Sequence, residues 1–180
     1  NQSLRHQLLK DINNADINDR KQSRLFYGTQ SAGNLFKRTE DSFKTLELGL
    51  KEAIKEYYKL YKDEGCEFIR LFPKKIEFSS SWYVKMQSGG HLTSHIHEEG
   101  WISGAIYLSV PKKTKTQDEG AIELSTHGDD YPIINDGFPK KVIKPKEGDV
   151  VFFPSSVFHR TIPFESDEER ICIAFDMKPS

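Results

Sequence analysis

The sequence predicts a mainly β protein, a sandwich or barrel preceded by an α-helical extension. Three observations carry that reading. One long segment before Gly65 keeps apolar residues at helical spacing. Beyond Gly65 the apolar residues gather instead in short runs rich in Val, Ile, Phe and Tyr. Turn residues punctuate those runs at Gly89-Gly90, Asp118-Glu119-Gly120, Asp136-Gly137, Glu147-Gly148-Asp149 and Pro163.

In chain order, residues 1–41 are polar, and Leu4, Leu8 and Leu9 place a short helix there that docks on the core. The stretch 28–34, small and polar with two glycines, reads as loop. A helix follows, with Asp41 or Ser42 as its cap. Phe43, Leu46, Leu50, Ile54, Tyr57, Tyr58 and Tyr61 recur every three to four positions and mark its buried face. Lys51, Glu52, Lys55, Glu56 and Lys59 take the solvated face, and Gly65 ends it. Strands are predicted at 68–72, 80–86, 102–110, 121–124, 141–143, 150–153, 157–162 and 171–175. Residues 112–120 read as an exposed loop; with 126–139 they are expected to carry ligand specificity, because loops on a rigid scaffold do so. Residues 1–65 thus form a helical extension packed on a β core of residues 66–180, together one structural domain.

Composition excludes several classes. Twelve Phe, seven Tyr and two Trp suffice for a core, while a net charge of −1 gives no electrostatic case for nucleic acid or a membrane surface. No apolar run approaches the roughly 20 residues that span a bilayer, and no signal-peptide pattern opens the chain. The chain begins at Asn1 rather than Met, so an upstream domain or targeting segment stays open. Cys66 and Cys172 stand far apart without a CxxC spacing, which argues against a zinc ribbon or a thioredoxin-like site. They read as reduced, mostly buried thiols of a cytoplasmic protein.

Of the six histidines, three form a pattern. His95-Ile96-His97 are two apart, and on an extended strand such residues point to one side, where two imidazoles can grip one metal ion. His159 follows the run Gly148-Asp149-Val150-Val151-Phe152-Phe153-Pro154, a strand that opens from a turn and closes on proline. A hairpin-rich barrel can bring its end beside the first pair. Imidazole suits iron, zinc, copper and nickel alike, so ligand type alone does not choose the metal. His6 and His127 read as surface residues, and His91 as a neighbour of the pair with no assigned role. Arg170 opens the last apolar strand. An arginine entering a barrel interior requires an anion, and its planar fork suits a carboxylate. A surface ion pair with Asp167, Glu168 or Glu169 is the competing reading.

The stretch 90–111, with His95-Ile96-His97 and Ser103-Gly104-Ala105-Ile106-Tyr107-Leu108, resembles the first metal motif of 2-oxoglutarate- and iron(II)-dependent dioxygenases, and more narrowly of a bacterial and phage branch. Residues 148–154, then His159-Arg160-Thr161-Ile162-Pro163 and Arg170-Ile171-Cys172-Ile173-Ala174-Phe175, resemble the second motif. The likeness covers roughly residues 82–176. It implies a double-stranded β-helix (a cupin-like jelly roll), iron(II) held by His95, His97 and His159, and 2-oxoglutarate whose far carboxylate pairs with Arg170. It also implies consumption of O₂, release of succinate and CO₂, and hydroxylation as the default outcome.

The chain departs from the wider superfamily, which has His-x-Asp or His-x-Glu in the first motif. Either His97 replaces the carboxylate, or the register slips and Glu99 is the ligand; we take the first as the working reading. The family's Arg-x-Ser stands here as Arg170-x-Cys172, which leaves the second contact to the cosubstrate carboxylate to Tyr107 or Tyr83 by strand position. Trp82, Tyr83, Trp101 and Phe152 are candidates for a pocket wall or for core.

Two rivals stay open on the sequence. A cupin-type three-histidine dioxygenase fits the histidine spacing, although the glutamate expected after the second histidine falls at Trp101 or Ile102, and a cupin has no use for Arg170. A non-enzymatic ligand-binding barrel is the other. The expected partners are O₂ and a small-molecule or peptide substrate.

Overall fold

The computed structural model describes residues 2–135 and 137–180; Asn1 and Asp136, half of one predicted turn, lie outside the described residues. Among the described residues nine strands form two antiparallel sheets. The larger has the order β1 (Asp19–Arg20), β2 (Leu25–Ser31), β3 (Ile76–Leu92), β9 (Arg170–Pro179), β4 (Ile102–Ser109), β7 (Val150–Pro154). The smaller has the order β6 (Lys140–Ile143), β5 (Ile122–Ser125), β8 (Phe158–Thr161). This is the double-stranded β-helix that the sequence implied, with helices α1 (Gln2–Asn14) and α2 (Asp41–Tyr61) laid on the outer face of the larger sheet.

Strand alternation divides the apolar residues between two cores. On β9, Ile171, Ile173, Phe175 and Met177 face the helices and join Phe43, Leu46, Leu50 and Ile54 of α2 with Leu8 and Ile12 of α1. Cys172, two residues from Arg170, faces the other way and packs between the sheets with Val84, Tyr107, Ile122 and Phe153. Burying each large apolar side chain contributes about 1.5–3 kcal/mol, so this shared cluster holds α1 and α2 against the larger sheet. Gly104 permits that packing: a Cβ there would sit 2.7 Å from the Phe175 ring. Gly148, at φ 92°, makes the tight turn that returns the chain into β7.

Several expectations are corrected. Residues 28–31 belong to strand β2 rather than a loop; Gly28 reads as a turn signal but permits close approach, since a Cβ there would meet the Lys85 carbonyl at 2.5 Å. The apolar run at 68–72 is not a strand: Glu67–Arg70 form the short helix α3, whose Phe68 stacks on Trp101. Gly89-Gly90 do not end a strand but lie inside β3, where Phe26 pairs with His91 and Gly28 with Met86, so that the intervening residues bulge. Neither Asp41 nor Ser42 caps α2. Glu40 holds that position without a side-chain bond, and the Ser42 hydroxyl instead donates to Asp11 Oδ2 at 2.5 Å, tying α2 to α1. Tyr58 and Tyr61 are exposed; of the three tyrosines it is Tyr57 that packs toward the core, with its ring 6.4 Å from that of Phe152, while Tyr58 stacks on Phe72. Cys172 is buried as expected but Cys66 is exposed, at the loop that leaves α2.

Candidate functional site

The first two histidines follow β3 and the third lies in β8, and the backbone itself joins them. His95 N donates to His159 O at 3.1 Å and His159 N to His95 O at 2.9 Å, an antiparallel bridge between the two sheets. His97 N donates to Ser155 O at 3.0 Å, which holds the next extended residues against the turn before β8. The ring centroids then lie 4.2 Å (His95–His159), 4.8 Å (His97–His159) and 5.3 Å (His95–His97) apart. One nitrogen from each ring lies within 4.8 Å of the others.

The hydrogen bonds fix which nitrogen is offered. His95 Nδ1 lies 2.7 Å from the Thr93 carbonyl and His159 Nδ1 lies 3.3 Å from the Val157 carbonyl. A carbonyl only accepts, so in both rings the proton sits on Nδ1 and Nε2 keeps its lone pair. His97 Nδ1 lies 2.5 Å from Asp176 Oδ1 and is oriented in the same sense. Burial, and then the neighbouring rings, push the His159 imidazole down to about 2, and burial holds His95 below its ordinary value. Both are therefore neutral near pH 7, the state in which imidazole binds a metal. Three imidazoles whose ring nitrogens converge form a donor set that fits iron(II), with one side of the group open to a pocket.

Glu99 stands apart from this group: it lines the rim of the outer pocket together with Glu98. Arg170 enters the interior and forms no surface ion pair. It is 2% exposed, its Nε donates to the Gly120 carbonyl at 2.9 Å, and its guanidinium lies 5.0 Å over the Tyr107 ring. No carboxylate among the described residues neutralises it. Arg170, Tyr107 and all three histidines line one cavity of about 70 Å³ between the sheets. Tyr107 is fully buried, and burial pushes its phenol up to about 12, so the hydroxyl is a neutral donor there.

Tyr83 is a correction. It is adjacent to Trp82, and neighbours on a strand face opposite ways, so only one of them can line the cavity. Trp82 does, with its ring 5.6 Å from that of His97. Tyr83 faces the helices, and its hydroxyl donates to Asp19 Oδ1 at 2.9 Å. Trp101 and Phe152 likewise pack against the helix-side core. His91 stacks on Phe26, His127 packs on Phe138, and His6 is exposed on α1, all away from the cavity.

An outer pocket of about 500 Å³ opens above the histidines, lined by polar and charged groups such as Arg20, Gln30, Glu98 and Glu99 beside Trp82 and Tyr131. The 126–139 loop contributes Asp129 and Tyr131 to it, whereas 112–120 lies elsewhere and contributes only the Gly120 carbonyl beneath Arg170. Two functional groups escaped the sequence reading. Asp176 and Ser103 form a buried hydrogen-bonded set beside His97, and Asp176 had a signal: it continues the even-numbered, cavity-facing row Arg170, Cys172, Ala174. The Arg24–Asp129 clamp at the rim, with bonds of 2.9 and 2.8 Å, pairs residues remote in sequence and had none.

Residues 80–176 match the protein family described as "Putative 2OG-Fe(II) oxygenase", more than half of the chain. Among curated protein sequences none matches. Solved structures share the fold. HygX from Streptomyces hygroscopicus, with nickel, 2-oxoglutarate and hygromycin B bound, superposes with a TM-score of 0.64 at 12% identity over 100% of this chain and 80% of its own. A Pseudomonas putida prolyl-4-hydroxylase gives 0.63 at 12% identity over 100% and 88%. A Trichoplax adhaerens prolyl hydroxylase, in complex with a hypoxia inducible factor peptide fragment, gives 0.62 at 16% over 97% and 78%.

Proposed function

Since the chain belongs to the 2-oxoglutarate- and iron(II)-dependent oxygenases, we propose that His95, His97 and His159 hold its iron and that Arg170 and Tyr107 hold the far carboxylate of its 2-oxoglutarate. The cofactors are iron(II) and 2-oxoglutarate, and the enzyme is an oxidoreductase. One observation carries the assignment of residues. A buried arginine without a counter-ion lies in the same cavity as three converging imidazoles. A buried, unpaired guanidinium is costly, and a carboxylate delivered to it offsets that cost through two parallel charge-assisted bonds. His97 rather than Glu99 completes the metal-holding group in this reading, because the glutamate stands at the rim.

When bound, iron(II) and 2-oxoglutarate with O₂ supply oxidation of a substrate C–H bond, with release of succinate and CO₂. The chain's own residues position and exclude. The Nδ1 bonds of His95 and His159 hold the rings still. Arg170 and Tyr107 fix the cosubstrate's depth, and Trp82 walls the cavity on the pocket side. Hydroxylation is the outcome we propose. The large polar outer pocket supports a polar substrate, a small molecule or a peptide segment, entering past Glu98 and Glu99. Among the described residues no helix is long and apolar enough to cross a membrane, and two unpaired thiols support a reducing, cytoplasmic setting.

The test is an anaerobic titration of metal-free protein with iron(II) and then 2-oxoglutarate, followed by the visible charge-transfer band of the chelate. A band that requires both components, and that disappears on admitting O₂ as succinate is released, is the expected result. Iron binding without a band refutes the cosubstrate assignment. No iron binding refutes the histidine assignment.

A further inference from the structure

Three imidazole ligands bring no negative charge, so a divalent cation held by His95, His97 and His159 would be uncompensated inside the site. Sites of the two-histidine, one-carboxylate type supply a negative charge within the ligand set, and here the carboxylate stands one atom layer back. Asp176 lies near the end of β9 on its cavity-facing row, with its side chain 14% exposed. Its Oδ1 accepts from His97 Nδ1 at 2.5 Å and from Ser103 Oγ at 2.7 Å, and its Oδ2 accepts from Ser80 Oγ at 3.0 Å. Ser103 is itself fixed by Ser155 Oγ at 2.8 Å. Ser155 also accepts the His97 backbone amide, so ring, carboxylate and main chain are braced as one unit. Hydroxyls from three different strands or turns converge on this one carboxylate and its braces. The other two rings have only carbonyls behind them.

We propose that Asp176 is a positioning residue that acts through His97 as the anionic member of the metal-holding group. It pins the ring proton on Nδ1, turns Nε2 toward the metal and returns one negative charge to the site without occupying a coordination position. The hydrogen bond polarises the imidazole, which makes Nε2 a stronger donor than the Nε2 of His95 or His159. The inference rests on the three-histidine reading above.

Two consequences have opposite signs, which separates this role from a merely structural one. Asp176→Asn keeps the size of the side chain, and its carbonyl oxygen can still accept from Nδ1, but it removes the charge. The metal should bind more weakly, by roughly 10- to 100-fold, the range seen when outer partners of metal-binding histidines are changed. The dianionic 2-oxoglutarate should bind the metal-loaded variant at least as tightly as it binds wild type, because the metal it meets carries more uncompensated positive charge.

The experiment titrates metal-free wild type and Asp176→Asn with cobalt(II) alone, by calorimetry and by the cobalt visible spectrum, and then titrates the cobalt-loaded proteins with 2-oxoglutarate. Circular dichroism and Tm check that both are folded. Weaker cobalt binding with an altered spectrum and undiminished 2-oxoglutarate binding is the expected result. Cobalt affinity within twofold of wild type overturns the proposal while leaving the three-histidine reading intact. Parallel loss of both affinities overturns it in favour of a simple packing role. Failure of wild type to bind cobalt removes the three-histidine reading, and this inference falls with it. If Asp176→Asn does not fold, Ser80→Ala is used, which removes only the Oδ2 bond: a cobalt affinity lowered severalfold supports the role, and an unchanged one overturns it.

Discussion

Replacing Arg170 by Met keeps an unbranched side chain of similar reach and removes the guanidinium. In the free protein the change removes a hydrogen bond to the Gly120 carbonyl at 2.9 Å and the stacking on Tyr107 at 5.0 Å. Each of these contributes on the order of 1 kcal/mol. Against them stands the burial of a cation that is 2% exposed and has no carboxylate among the described residues. The effective penalty for such a charge is several kcal/mol. The metal-free variant should therefore be as stable as wild type or more so. Toward 2-oxoglutarate the balance reverses. Two charge-assisted bonds of about 1.5–3 kcal/mol each are lost together, roughly 3–6 kcal/mol in all. At about 1.4 kcal/mol per decade the dissociation constant should rise at least a hundredfold. Iron(II) affinity should change less than twofold, because Arg170 touches none of the histidines. The assay is the anaerobic charge-transfer titration in iron and then in 2-oxoglutarate, with thermal unfolding of the metal-free protein alongside. A 2-oxoglutarate affinity within threefold of wild type refutes the reasoning. So does a metal-free variant destabilised by several kcal/mol, since Arg170 would then be a structural strut.

Three further outcomes follow from the same geometry. His97→Ala should abolish tight iron(II) binding and Glu99→Ala should leave it within twofold, measured by metal content after dialysis; the reverse pattern would restore the alternative ligand. The metal-free protein should lose stability as the pH falls from about 6.5. His95 and His159 are held neutral when folded, so below the ordinary value of 6.5 the unfolded chain takes up protons that the folded chain refuses. For His159 the loss should approach about 1.4 kcal/mol per pH unit and continue toward about pH 2, and His95 adds to it in the same direction, as read from urea midpoints at stepped pH. Gly104→Ala should destabilise by about 1–3 kcal/mol in the same unfolding assay, because the added carbon would meet both the Phe175 ring and the Val151 carbonyl at 2.7 Å, and a stability within about 0.5 kcal/mol of wild type would refute the close-approach role of this glycine.

The site was legible where its signal was local. His95 and His97 share a face because the strand period is two, and the sequence shows that spacing directly. Their union with His159 depends on a bridge between sheets, which only the two motifs together suggested. The same period, applied consistently, would have separated Trp82 from Tyr83 and found Asp176 two positions beyond Ala174. Glycine marks a turn at Gly148 but misleads at three other positions. Gly28, Gly89 and Gly90 look like punctuation, yet here they permit close approach and a bulge within paired strands. The 68–72 run failed for another reason: a single helical turn is too short for its period to differ from that of a buried strand. The Arg24–Asp129 clamp joins the start of β2 to a distant loop, and nothing local to either residue announces it.

The antiparallel bridge between His95 and His159 has a consequence for how the molecule comes apart. These two residues form the seam along which the smaller sheet is fastened to the extension of β3, and the same two side chains belong to the proposed ligand set. A metal seated there rivets the seam, adding RT ln(1 + [M]/Kd) to the work of opening it. Stripping the metal would loosen that edge without melting the helices on the far face. Amide exchange at His95 and His159 should therefore report the loaded state of the enzyme more faithfully than its global unfolding does. In the metal-starved molecule, proteolysis should begin at the loops that border this seam.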